Sequence, residues 1–268
     1  MGNDRLTICQ ISDIHCGNAY FIPDLLDRTI IEINRANPTV VVVAGDLTDA
    51  GYREEFAQAA EYIARIECEN VMVIPGNHDS RNVGYIHFER LFGERYSCID
   101  FDDAVMVGVD SSEPDLNDGQ VGREHYEFIR EAFTSARDKL KIFVVHHHLI
   151  SLPGTGRERN IVFDAGDVLE RLIEVGVDLV LSGHKHVPYT WRLEDMLVVN
   201  SGTASTLRVR GNTKPCYNVI EVEDGKVEVF RKYPFKRRDL AVRFDQRTQR
   251  YTRSEEGQDS EIAGQLRP

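Results

Sequence analysis

The sequence predicts an α/β core carrying additional antiparallel strands. Two observations lead to this. Up to residue 181, short apolar β-prone runs alternate with segments of helical periodicity; beyond it only strand signals follow. Leu6–Ile11 is the first strand signal. Pro23, suited to a first helical turn, opens a helix with Leu26, Ile30 and Ile33 on one face. Residues 39–44 form a continuous apolar run, the pattern of a strand buried on both faces. Phe56, Ala60 and Ile63 recur at helical spacing within residues 53–67. Strands are expected at Val71–Ile74 and at Ala104–Val109, the latter ending at Asp110. Residues 122–136 read as a charged amphipathic helix, and 142–145 as a strand. Asp164 is placed to cap a helix carrying Val168, Leu169, Leu172 and Ile173, with Asp167 in its first turn, where an acidic charge complements the helix dipole. Residues 177–181 are the next strand. The later signals, at 189–193, 196–199, 216–222 and 226–233, are all β, and Glu223-Asp224-Gly225 joins the last two as a hairpin.

The expected domain spans residues 1–235, followed by a C-terminal extension over 236–268. Residues 236–253 are basic but interrupted by acidic and apolar positions, so they read as a solvated strand face. Residues 252–268 are polar and weakly patterned, as in a frayed, partly disordered tail.

The formal net charge of −12 argues against nucleic acid and anionic membrane as default partners. An anionic ligand would need local positive charge, from metal ions or arginines. Nothing in the sequence approaches the ~20 apolar residues of a membrane helix, and the N-terminus lacks a secretory pattern. The five cysteines are odd in number and include no C-x-x-C pair, which fits a reducing, cytoplasmic setting. Cys16, beside a candidate ligand, is expected to be a packing residue.

Five polar clusters each follow a strand signal: Asp13-Ile14-His15, Gly45-Asp46, Gly76-Asn77-His78-Asp79, His146-His147-His148 and Gly183-His184-Lys185-His186. Ligands of open α/β sheets gather at the carboxyl ends of strands, so residues remote in sequence would converge there. Singly, each cluster is an ordinary turn or an incidental histidine. Together, in this order, they indicate one site. Imidazole and carboxylate suit zinc, iron or manganese, and two such ions can clamp an in-line displacement at phosphorus. Asp46 is the candidate bridge. Asn77 would add an oxygen without charge, leaving the site cationic inside an acidic protein.

These motifs, in this order, resemble the calcineurin-like metallophosphoesterases over residues 7 to about 205. The resemblance implies a four-layer β-sandwich flanked by helices. It implies two divalent metal ions (Mn, Fe, Zn or Co), with Asp13, His15 and His186 on one, Asn77, His146 and His184 on the other, and Asp46 bridging. His78 matches the histidine that contacts phosphate or protonates the leaving oxygen, and Asp79 would orient its ring. The family often reads His-His-Pro-Pro where this chain has His146-His147-His148-Leu149; His146 is the expected ligand, His147 the fallback, and His148 a pocket or packing residue.

Gly45-Asp46-Leu47-Thr48-Asp49-Ala50-Gly51 lacks the phosphate-holding arginine of the Ser/Thr protein phosphatases, and Asp79 replaces their glutamate. The chain looks more like the class III cyclic-nucleotide phosphodiesterases and their glycerophosphodiesterase relatives. The implied activity is hydrolysis of a small-molecule or nucleotide phosphate ester by attack of a metal-bridging hydroxide. Phosphomonoesterase and nuclease activities are the alternatives; a non-catalytic scaffold would call for lost ligands, and every ligand type is present. Arg157 and Arg159, and Arg208 and Arg210, could contact substrate phosphate, although surface arginines on loops are the plainer reading.

Overall fold

In the computed structural model, which describes residues 5–136, 138–155, 161–210 and 213–254, the apolar runs pair into two sheets. The first contains the parallel strands β1 (Leu6–Ile11), β2 (Val40–Ala44) and β3 (Val71–Ile74). Antiparallel strands extend it from β1: β10 (Tyr217–Glu223), β11 (Lys226–Lys232), β12 (Arg238–Asp245) and β13 (Arg250–Arg253). The second sheet runs in the order β4 (Ser97–Asp100), β5 (Ala104–Val109), β6 (Leu140–Val145), β7 (Leu179–Ser182), β9 (Met196–Asn200), β8 (Tyr189–Leu193). Strands β5, β6, β7 and β9 are parallel.

Alternation of side chains along each strand builds three apolar layers. Ile8, Val42 and Ala44 of the first sheet meet Met106, Val144, Leu181 and Val199 of the second in the central core. The outer face of the first sheet packs through Val41 and Val43 against helices α1 (Pro23–Ala36), α2 (Arg53–Ile63) and α3 (Gly84–Phe92). Phe143 and Val180 of the second sheet lie under α4 (Tyr126–Thr134) and α5 (Ala165–Glu174). The result is the expected four-layer sandwich. It also explains the unbroken apolar runs, because the parallel strands are covered on both faces. Gln10, buried in β1, ties the sheets together: its Nε2 donates to Ser182 O at 2.9 Å, and its Oε1 accepts from Asn218 Nδ2 at 3.0 Å.

Several expectations need correction. Helix α3 and strand β4 carried no recognised signal, being only nine and four residues long. The helix expected at 122–136 starts as a 3-10 turn, Arg123–His125, and is α-helical only over Tyr126–Thr134. Asp164 occupies the N-cap position of α5 but does not cap it. Its carboxylate accepts instead from Val121 N, Gly122 N and Tyr126 Oη at 3.0, 2.9 and 2.7 Å, because the neighbouring loop and the first residue of α4 offer three donors. Thr252 and Arg253, expected in the tail, belong to β13; residues 255–268 lie outside the described residues. Strand β12, within the expected extension, places Val242 and Phe244 in the central core. In the β10–β11 turn, Asp224 and Gly225 both have positive φ, 52° and 75°, as a two-residue primed hairpin requires. Among the described residues, no helix is long and apolar enough to cross a membrane.

Candidate metal centre

The carboxyl ends of β1, β2, β3, β6 and β7 open at one edge, and the loops after them hold the five polar clusters. The loops brace one another: Asp13 N donates to Gly45 O at 3.0 Å, His15 N to Asp46 O at 2.9 Å, and Gly183 N to His146 O at 2.9 Å. Asp13, His15, Asp46, His184 and His186 all adopt left-handed backbone, with φ between 54° and 78°. Such a conformation costs a non-glycine residue roughly 1–2 kcal/mol, so five together mark a place where geometry is held against local preference. Gly76 is required by close approach: a Cβ there would collide with the Asp46 carboxylate.

Two donor sets result. Asp13, His15 and His186 form one: His186 Nε2 lies 3.3 Å from Asp13 Oδ1 and 2.9 Å from His15 Nε2. Asp46, His146 and His184 form the other, with His146 Nε2 3.3 Å from Asp46 Oδ2. Asp46 lies between the sets, its Oδ2 also 3.7 Å from His15 Nε2 and its Oδ1 accepting from His78 N at 2.9 Å. Asn77 Oδ1 joins the second set, 2.9 Å from His184 Nδ1.

The donor chemistry fits divalent cations. His146 donates its Nδ1 hydrogen to Ala44 O at 2.7 Å, and His186 donates its own to Arg208 O, so each ring turns Nε2 inward; burial lowers both imidazoles, but Asp46 and Asp13 outweigh it, raising His186 and taking His146 up to about 9. The buried His146 Nε2 and His184 Nε2 have no hydrogen-bond partner, a state that costs about 1–3 kcal/mol per polar atom unless something else occupies it. Burial and neighbouring histidines hold His184 well below the usual imidazole range, and burial takes His15 down to about 3, which keeps their lone pairs available. Burial pushes the Asp46 carboxyl up, but His146, His78 and His15 outweigh it and hold it well below the usual carboxylate range.

The remaining candidates divide. His147 is engaged by protein on both ring nitrogens, with Ser111 Oγ at 2.8 Å from Nδ1 and Asn117 O at 3.3 Å from Nε2. His148 is buried and stacks on His184 at 5.6 Å between ring centroids. The orienting role expected of Asp79 is not what the structure shows. Its buried carboxylate accepts from Gly76 N, Leu47 N, Thr48 N and Thr48 Oγ1 at 2.8–3.1 Å, because the loops after β2 and β3 turn these donors inward onto it. Asp79 therefore staples loop to loop. Asp49 faces the His78 ring instead: Nδ1 lies 2.5 Å from Asp49 O and 3.6 Å from Asp49 Oδ1. Arg157 and Arg159 lie outside the described residues. Arg208 and Arg210 line a cavity of about 420 Å³ together with Asp46, Asn77, His78 and His186.

Arg81 and Asn117 also line this cavity and, like Asp49, were not singled out from sequence. Asp49 has a readable signal, its place three residues after Asp46. Arg81 follows His78 by three residues, a weak hint. Asn117 comes from a loop more than thirty positions away and leaves none.

The family model described as calcineurin-like phosphoesterase matches residues 6–188. A probable glycerophosphodiester phosphodiesterase GpdQ from Arcobacter nitrofigilis is 28% identical over 156 residues, covering 53% of this chain and 57% of that protein. The glycerophosphodiester phosphodiesterase GpdQ of Enterobacter lignolyticus is 26% identical over 184 residues, covering 65% and 63%. This chain thus spans about three-fifths of the length of these curated relatives. In fold it is similar to purple acid phosphatase PPD1 from yellow lupin (TM-score 0.68, 15% identity, 94% of this chain and 53% of that one). It is also similar to GAP50 of Plasmodium (TM-score 0.63, 13% identity, 88% of each chain). With the matched model spanning more than half of its length and all five motif loops meeting at one sheet edge, the chain belongs to the calcineurin-like phosphoesterase family.

Proposed function

We infer that this protein is a binuclear metal-dependent phosphodiesterase acting on a small-molecule or nucleotide phosphate ester. The observation that carries the reading is the position of Asp46 between two donor sets at the wall of a cavity that also holds His78, Arg208 and Arg210. Asp13, His15 and His186 would hold one divalent cation, Asn77, His146 and His184 the other, and Asp46 both. When bound, such ions supply Lewis-acid charge at phosphorus and an activated nucleophile near neutral pH. The preference for diesters is supported by the names of the two glycerophosphodiesterase relatives.

The chain's own residues do the rest. His78 Nδ1 lies 2.5 Å from the Asp49 carbonyl oxygen and 3.0 Å from Arg81 Nη1, which leaves Nε2 for the substrate. Nε2 would give a proton to the departing alkoxide, and the Asp49 carboxylate lies 3.6 Å from the ring. Arg208 and Arg210 offer guanidinium donors to non-bridging oxygens.

The test is hydrolysis by protein reconstituted with Mn, Fe, Zn or Co. The panel is p-nitrophenyl phosphate, its bis ester, and 2′,3′- and 3′,5′-cyclic nucleotides. Faster turnover of the diesters is expected; exclusive turnover of the monoester would overturn the diester preference. Asp46→Asn should remove at least one ion and lower kcat/KM by more than about a hundredfold, since a bridging ligand supports several kcal/mol of transition-state stabilisation. Two ions retained with near-normal turnover would sink the metal assignment.

A further inference from the structure

Three arginines line the cavity at the metal centre: Arg81, Arg208 and Arg210. Two of them converge on Asp49. Arg81 Nη1 donates to Asp49 O at 3.2 Å and lies 3.0 Å from His78 Nδ1, while Arg208 Nη1 lies 3.9 Å from Asp49 Oδ1. Such a gathering of positive charge stands out in a chain whose net charge is −12. Asp46 belongs to the donor sets, so Asp49 is the carboxylate that these guanidinium groups meet. Three positive charges against one negative leave a surplus of two on the His78 side of the cavity.

A phosphate diester does not balance that surplus. It carries one negative charge, spread over two non-bridging oxygens. Two cations and one guanidinium, with its planar fork of donors, are enough to occupy both oxygens. The remaining guanidinium groups then have donors and charge to offer to another part of the substrate.

We propose that Arg81, Arg208 and Arg210 form a second anion subsite, and that the alcohol released by hydrolysis carries a phosphate group of its own. The assignment to the released alcohol rests on the reading of His78 as general acid; the anion subsite does not. Hydrolysis adds water at phosphorus and breaks the P–O bond to the alcohol, which departs with the proton from His78. The alcohol is therefore released beside His78 and Asp49, where Arg81 and Arg208 stand. A phosphate dianion matches the surplus of two charges and offers oxygens to more than one guanidinium fork, which a carboxylate does not. The cavity, about 420 Å³, is of the size that holds a small molecule.

Arg208 and Arg210 are exposed, so solvent screens them. An exposed ion pair is worth a factor of about 1.5–5 in an equilibrium, and three acting together give a preference of about tenfold at low salt.

The experiment uses the full chain, reconstituted with Mn²⁺, and two phenylphosphonate monoesters. Each has one scissile P–O bond, which fixes the leaving group. One releases p-cresol and the other 4-(phosphonomethyl)phenol, so the reacting centres are alike and the remote charge differs. The phosphonomethyl ester should have the higher kcat/KM by about tenfold, chiefly through a lower KM. High salt should reduce that ratio, and Arg208→Gln and Arg210→Gln should each reduce it by about two- to threefold. A carboxymethyl analogue should gain less; an equal or larger gain would overturn the assignment to phosphate. A second readout needs no metal. In calorimetry, 4-(phosphonomethyl)phenol should bind the metal-stripped protein more tightly than p-cresol does, and the Arg208→Gln/Arg210→Gln double variant should lose that difference. Equal kcat/KM for the two esters, with no preferential binding to the stripped protein, would overturn the proposal and leave the phosphoesterase reading standing. Binding that survives in the double variant would place the anion elsewhere and overturn it too. Arginine-dependent binding without turnover of either ester would overturn the phosphoesterase reading and leave the anion subsite standing.

Discussion

Residue chemistry at this site is divided between groups of the two donor sets and groups bonded elsewhere. On the proposed reading His78 is the general acid: its backbone nitrogen donates to Asp46, and its Nδ1 faces Asp49 O and Arg81 Nη1. A general acid of this kind is worth about 10²–10⁴-fold, and more when the leaving group is basic. His78→Ala should therefore keep two ions and the fold. It should lose much more kcat/KM on an alkyl or ribose ester than on a p-nitrophenyl ester. Equal losses on both would leave only an electrostatic role, and loss of an ion would make His78 a ligand. The convergence of these residue types could be read from the sequence because each cluster follows a strand signal directly. The direction of the Asp79 carboxylate could not, because backbone donors of two different loops attract it.

At the scale of elements, the packing of α1 onto the first sheet is reinforced by Glu32. Its carboxylate pairs with Arg28 Nε of the same helix and with Lys232 Nζ at the end of β11, each at 2.6 Å, and accepts from Tyr217 Oη of β10 at 3.3 Å. Burial alone would raise the carboxyl; hydrogen bonding and charge from Lys232 and Arg28 outweigh it, so the folded value lies below the ordinary 4.5. A lowered acid contributes its full stability above the unfolded value and loses it as pH falls through the folded one. Glu32→Gln should thus cost about 1–3 kcal/mol at pH 7, as for hydrogen bonds to charged groups, and the gap from wild type should close below pH 4.5. Urea unfolding of both proteins across this range checks it; a gap that widens on acidification would contradict the account. Long elements with clean periodicity, such as α1 and β2, were legible in sequence. Helix α3 was not: it begins after Asn82 and Val83, both in left-handed backbone, where turn geometry rather than periodicity starts the helix.

For the molecule as a whole, the segment after residue 235 is part of the sandwich as far as it is described. Strand β12 buries Val242 and Phe244 in the central core and covers the edge of β11. Each such side chain is worth about 1.5–3 kcal/mol, a large share of a domain's ~5–15 kcal/mol. Truncation after residue 235 should lower Tm sharply and promote aggregation through the bared edge of β11. An unchanged Tm in a thermal scan would show that the extension is dispensable. The sequence by itself determined the alternation that makes an α/β sandwich, the order of the five polar loops, and the residue types suited to divalent cations. These follow from local rules: side-chain period, strand burial, and the chemistry of imidazole and carboxylate. Only the tertiary structure decided that Asp49 rather than Asp79 faces His78, that His147 is spent on Ser111 and Asn117, and that Arg81 and Asn117 reach the site. Those choices depend on which loop end meets which across the two sheets, a distance in space that no spacing along the chain encodes.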